Sequence, residues 1–148
     1  MHHVAIMNKS WKLIPKILSG EKKIESRWYQ TRRAPWNKIH KGDVVYFKNS
    51  AEAITASAEV FRVLQFSFSN KSPEKSLEEA RLVVKKYGKE ICIVNPDPST
   101  WGKVPRYCIL IFLKNPASIK QPFKIHKKGF GSAAAWPTMK NIKEVRAR

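Results

Sequence analysis

Along this chain the apolar positions change period several times, and each change predicts an element. His3 to Met7 is a short apolar run that reads as a first strand. Leu13, Ile14, Ile17 and Leu18 then recur at helical spacing, with Ser10 as a cap before Trp11 and Ser19-Gly20 as the stop. Pro15 falls about one turn inside that helix, so its start is expected to be displaced or kinked. Lys22 to Trp28 reads as a second strand. Gln30 to Lys41 is a basic loop, and Gly42-Asp43 turns into a strand over Val44-Val45-Tyr46-Phe47. Ile54, Ala56, Ala58 and Val60 alternate cleanly. Phe61 breaks that register and Leu64, Phe66 and Phe68 resume it, which predicts a bulge near Phe61.

The second helix has the clearest signals. Ser72 caps it, Pro73 opens it and Gly88 is the expected end, with Leu77, Ala80 and Val84 on the inner face. A loop rich in Pro, Asp and Ser, Asn95 to Thr100, leads to the run Tyr107 to Leu113. That run is apolar on successive residues, so it is expected to be buried on both faces and to end at Lys114-Asn115-Pro116. Ile119 to Ile125 is a candidate further strand. No internal repeat or linker interrupts the 148 residues, which predicts a single domain over 1–148. Short strands with two helices place the chain in the α+β class. The expected form is a small, mixed, mainly antiparallel β-barrel with flanking helices.

Charge changes the picture most. The chain carries 29 Lys+Arg against 11 Asp+Glu, a net charge of +18. Residues 1–48 hold 11 basic and 3 acidic residues, residues 49–102 hold 7 of each, and residues 103–148 hold 11 and 1. If the fold joins the two outer thirds, they make one strongly positive face that attracts polyanions. With 43% hydrophobic residues, the chain is not globally disordered.

Cys92 and Cys108 are the only cysteines, and neither has a partner at zinc spacing. They suit a reducing compartment, although two cysteines are enough for one disulfide. His2, His3, His40 and His126 also lack metal spacing, so neither a metal nor a cofactor is expected. The start Met1-His2-His3-Val4 has no signal-peptide pattern, and no apolar stretch approaches the roughly 20 residues a membrane helix requires. A cytoplasmic protein without a membrane partner is expected.

The densest chemistry lies in Gly20-Glu21-Lys22-Lys23-Ile24-Glu25-Ser26-Arg27, of the form Gly-x-Lys-x-x-Glu-x-Arg. On a strand, Glu25 and Arg27 share one face and Ile24 and Ser26 the other. A carboxylate beside an arginine can fix the guanidinium fork for a phosphate or a base edge. The alternative reading of the same pair is a structural tie between strands.

This motif, the preceding Ile17-Leu18-Ser19-Gly20 and the following Gly42-Asp43 resemble the ASCH domain of the PUA-like superfamily. The specific part covers residues 4–48, and Tyr107 to Pro116 fits the later part of the domain more loosely. The resemblance implies a β-barrel with a cleft beside the motif, and RNA or a modified nucleoside as ligand. Members of the family include RNA-binding modules, hydrolases of 4-acetylcytidine and described ribonucleases. The amidohydrolases carry a threonine nucleophile three residues after the motif lysine. Here that position is Glu25, and a carboxylate cannot simply replace a hydroxyl that becomes acylated.

The candidate nucleic-acid-binding residues are therefore Lys22, Lys23, Glu25 and Arg27 of the motif, with Trp28, Arg32, Arg33 and Trp36 just after it. Rings beside basic residues suit single-stranded RNA, because bases stack while phosphates meet Lys and Arg. Trp136 joins them as a third candidate ring, whereas Trp11 and Trp101 are assigned to packing. Lys127-Lys128-Gly129-Phe130-Gly131-Ser132 is a basic glycine loop whose donors suit a phosphate, with Lys127, Lys128 and Ser132 as the named candidates. It does not match the Walker pattern, and a plain surface turn is the alternative. The expectation is an RNA-binding module for single-stranded or modified nucleotides. The alternatives are a hydrolase of RNA or modified cytidine, with Lys22 and Glu25 as its catalytic groups, and a protein-interaction module of a transcription or translation complex.

Overall fold

In the computed structural model, which describes residues 1–68, 70–131 and 134–147, one six-stranded sheet organises the chain. Strand β1 is His2–Met7, helix α1 Leu13–Ser19, β2 Ile24–Tyr29, β3 Val44–Asn49 and β4 Ile54–Ser67. Helix α2 follows at Pro73–Ile91, then β5 at Tyr107–Phe123 and β6 at Thr138–Met139. The strand order is β2-β5-β4-β3-β1-β6, and every neighbouring pair is antiparallel except β1 with β3.

The sheet is not closed into a barrel, which corrects the closed architecture expected from sequence. Its terminal strands, β2 and β6, do not pair with each other. Strand β6 is two residues long, too short to complete a ring. The sheet does curl. Arg27 on β2 donates from Nη2 to the Ile6 carbonyl of β1 at 3.3 Å, although β5, β4 and β3 separate those strands in the ladder.

The curl gives the sheet an inside and an outside. Inside, Ala5, Met7, Val45, Phe47, Ile109 and Ile111 form a core that α1 closes with Leu13, Ile14 and Ile17. Outside, α2 lays Ala80, Val83 and Ile91 on Ile24, Cys108, Leu110 and Phe112. Strand β5 therefore has both faces covered, as its unbroken apolar run requires.

Several local expectations hold. The β4–β5 register skips Phe61 between Val60 and Arg62, the site of the expected bulge. The first helix begins late, at Leu13, after a 3₁₀ turn over Lys9–Trp11; Asn8 caps that turn by accepting the Ser10 N–H, so Ser10 is not the cap expected from sequence. Pro15 then lies in its first turn, where no backbone N–H is needed. Gly20 closes the helix at φ 83°, a conformation that suits glycine.

Two expectations fail for non-local reasons. Helix α2 runs past Gly88 to Ile91 and ends at a left-handed Cys92. Gly88 is inside the helix, where an added Cβ would meet Ile93 Cγ2 at 3.3 Å. Strand β5 does not stop at Lys114-Asn115-Pro116. Asn115 takes φ 51° and the ladder with β4 resumes at Ala117. Cys92 and Cys108 are both free thiols, and burial pushes the Cys108 thiol well above its ordinary value.

Candidate functional site

The motif occupies the turn from α1 into β2 and the strand itself. The expected parity is observed: Ile24 and Trp28 pack towards α2, while Tyr29, of the same parity as Glu25 and Arg27, packs inside the curl. Lys22 is 2% exposed, and its ammonium donates to the carbonyls of Ile24 at 2.8 Å and Ile91 at 2.5 Å. It also lies 3.3 Å from Glu25 Oε1. That oxygen accepts the Ser26 N–H at 3.1 Å, while Oε2 accepts from Arg27 Nη2 at 3.2 Å. Burial pushes the Glu25 carboxyl up, but the charges of Lys22 and Arg27, together with their hydrogen bonds, outweigh it and hold the group below its ordinary value.

Arg27 is enclosed in the same way. Its Cζ lies 4.8 Å from the centre of the Trp136 ring, and Nη2 also approaches Met7 Sδ. Trp136 is 3% exposed and donates from its indole to His3 Nδ1 at 3.1 Å. An indole only donates, so His3 Nε2 carries the proton shared with Asp43 Oδ2 at 2.8 Å. Asp43 also accepts the His40 N–H and the amino terminus. This cluster ties Trp136 into the interior. Its ring is a packing group and offers no face to a base, contrary to the sequence reading.

Beside the free edge of β2 lies a cleft of about 400 Å³. Lys22, Glu25 and Ser26 line it, and Trp11, Trp28 and Trp101 supply aromatic surface, with Ile91, the last residue of α2, and residues 92–95 after it completing it. Trp28 is held in place: its indole donates to Ser26 Oγ at 3.1 Å, and it meets Trp101 edge-on at 4.9 Å. Trp11 is 48% exposed. A second depression of about 270 Å³ lies between β2 and Ile6–Asn8, and a third of about 430 Å³ shares Trp28 and Trp101 and includes Arg33.

The structure thus brings Lys22, Glu25, Trp28 and Arg33 to one connected groove, with Arg27 facing the depression beside β1. Lys23 is exposed next to it. Arg32 lies over Tyr107, its Cζ 5.6 Å from the ring centre. Trp36 packs edge-on against the same ring at 5.0 Å and against the inner core, so it is not part of the groove. Lys127 donates to the Ala134 carbonyl, and Lys128 is exposed; neither lines the groove. Ser132 lies outside the described residues. Trp11 and Trp101, assigned to packing, prove to be groove residues. Their one visible signal was their position beside turns. Among the described residues no His, Cys, Asp and Glu side chains converge in a group that could hold a metal, and no helix is long and apolar enough to cross a membrane.

A curled, mainly antiparallel sheet with one long helix on its outer face, and a groove along its free edge, defines an α+β protein of a recognisable kind. The chain has the ASCH-domain fold. Its structure matches that of the ASCH protein of Zymomonas mobilis with a TM-score of 0.64 and 13% identity, over 99% of this chain and 96% of that one. Two point mutants of that protein match at 0.65, over 99% of both chains, and at 0.61, over 93% and 87%. No family model and no curated protein matches the sequence. The likeness is therefore one of fold.

Proposed function

We propose that residues 1–148 act as one RNA-binding domain that takes an unpaired base, ordinary or modified, into the groove beside β2. The observation that carries this reading is the pairing of aromatic surface with a polar floor: Trp11, Trp28 and Trp101 beside Lys22, Glu25 and Ser26. Bases stack on such rings whatever their sequence. The net charge of +18 supplies attraction to phosphate. Lys12, Lys23, Arg32 and Arg33 are exposed basic residues near the groove, whereas Lys22 and Arg27 are already bonded within the protein. Glu25, saturated with donors and held in its anionic form, orients those cations and is poorly suited to act as a general base. The test is fluorescence anisotropy with a labelled ribo-oligonucleotide, single-stranded and then annealed to its complement. The single strand should bind tighter, and Trp11→Ala should weaken it. Equal affinity for both forms, or no binding at low salt, would reject the reading.

A further inference from the structure

We propose that the free edge of β2 reads the base by its Watson–Crick edge, through the main-chain carbonyl of Ser26 and the main-chain N–H of Trp28. This rests on the RNA-binding reading and adds a selectivity to it. In an antiparallel strand, the backbone groups of successive residues point to opposite sides. The Lys23 and Tyr29 carbonyls accept from Leu113 and Arg106, each at 2.9 Å, so the odd-numbered residues of β2 face β5. The even-numbered ones face away from it. The Ile24 carbonyl accepts from Lys22 Nζ, and the Ser26 N–H donates to Glu25 Oε1. Two motif side chains thus satisfy two successive groups of this edge, the Ile24 carbonyl and the Ser26 N–H. The next two, the Ser26 carbonyl and the Trp28 N–H, have no protein partner among the described residues, because β2 ends the sheet. Ser26 and Trp28 both line the main cleft and the depression beside β1, so this stretch of edge borders the groove.

An unpaired acceptor followed by an unpaired donor is the complement of a base's pairing edge. Every ordinary base presents a donor next to an acceptor there, such as N3–H and O4 of uracil. The edge therefore accepts any unpaired base and excludes paired ones. It also rejects a base methylated on its pairing edge, because the methyl group removes the donor and leaves the Ser26 carbonyl desolvated and unpaired.

The test compares a decamer of uridine with a decamer of N3-methyluridine, which keeps the same phosphates and still stacks. The uridine decamer should bind about tenfold tighter or better. In ¹⁵N-labelled protein, the Trp28 backbone amide resonance should move with the uridine decamer and stay in place with the methylated one. Affinities within about twofold of each other would overturn this inference and leave the RNA-binding reading standing, with the edge open to another occupant such as an extended peptide. Failure to bind either decamer would overturn both.

Discussion

The Lys22 ammonium lies 3.3 Å from the Glu25 carboxylate, and the two side chains are only 1% and 5% exposed. The pair is part of the wall of the groove and also part of what holds β2 to the end of α2, since Lys22 bonds the Ile91 carbonyl. Removing the carboxylate leaves a buried ammonium without its counter-charge. Glu25→Ala is expected to destabilise the fold by about 3–5 kcal/mol, read from urea unfolding. A loss below about 1 kcal/mol would show that water replaces the carboxylate at no great cost. Glu25 also confers acid sensitivity. Its folded value is lowered from 4.5, so its contribution is present above that pH and is lost as pH falls below it. Glu25→Gln should flatten that part of the stability profile.

Two tryptophans should behave in opposite ways. Trp136 is almost wholly buried and bonded to His3, so Trp136→Ala is expected to cost about 3–5 kcal/mol of stability. Trp11 is half out in solvent on the groove, so Trp11→Ala should leave the unfolding midpoint close to the wild type. It should weaken single-stranded RNA binding by about 1–3 kcal/mol. An unchanged RNA affinity for Trp11→Ala would remove that ring from the site.

Much of this was legible along the chain, and what was not has a physical explanation. The parity of β2 follows from strand geometry alone, so the division of Glu25 and Arg27 from Ile24 and Ser26 was readable. The late start of α1 follows from Pro15, and the bulge at Phe61 from a break in alternation. Burial of Trp136 depends on His3, 133 residues away, and no local pattern carries that information. The same holds for β5. Lys114-Asn115-Pro116 looks like a stop, but the adjacent β4 continues and lets the ladder absorb a left-handed Asn115. Openness of the sheet was also hidden, because it rests on a two-residue β6 that does not pair with β2, and no local pattern tells whether strands so far apart in sequence meet. The role of Asp43, which seemed a turn residue, depends on two donors from the distant N-terminal segment, the amino terminus and His3, besides the local His40 N–H.

The His3 cluster predicts a pH response near neutrality. Burial lowers the His3 value from 6.5 despite the neighbouring Asp43 carboxylate, with the amino terminus and His2 adding to the lowering. Protonating Nδ1 would also set a donor against the Trp136 indole. The unfolded chain therefore binds a proton more readily than the folded one. Stability from this site is full above pH 6.5 and declines as pH falls through the lowered folded value. Thermal melts across that range should show the decline, and His3→Gln should abolish this part of it. A slope unchanged in His3→Gln would assign it to other groups.

Salt should weaken RNA binding steeply. With about four or more phosphates neutralised, the slope of log affinity against log salt is expected to be about −3 or steeper for a single strand. Titrations with one ribo-oligonucleotide across a salt series measure it. A flat response would mean that stacking and base contacts carry the affinity, and that the charge of +18 serves another purpose.

Catalysis on 4-acetylcytidine is expected to be absent. Glu25 stands at the position where the amidohydrolases that the motif resembles carry a threonine, so no acyl group can pass to a hydroxyl there. Ser26 is adjacent, but its hydroxyl accepts the Trp28 indole proton. A water-activating route through Glu25 would need a carboxylate ready to take a proton. Instead, Lys22, Arg27 and the Ser26 N–H all donate to it, and the two cations hold it anionic. Purified protein incubated with the nucleoside should release no cytidine above background. Turnover that disappears in both Lys22→Ala and Glu25→Ala, with each variant shown to be folded, would identify Glu25 as the group that activates water. The groove would then be the active site of a hydrolase.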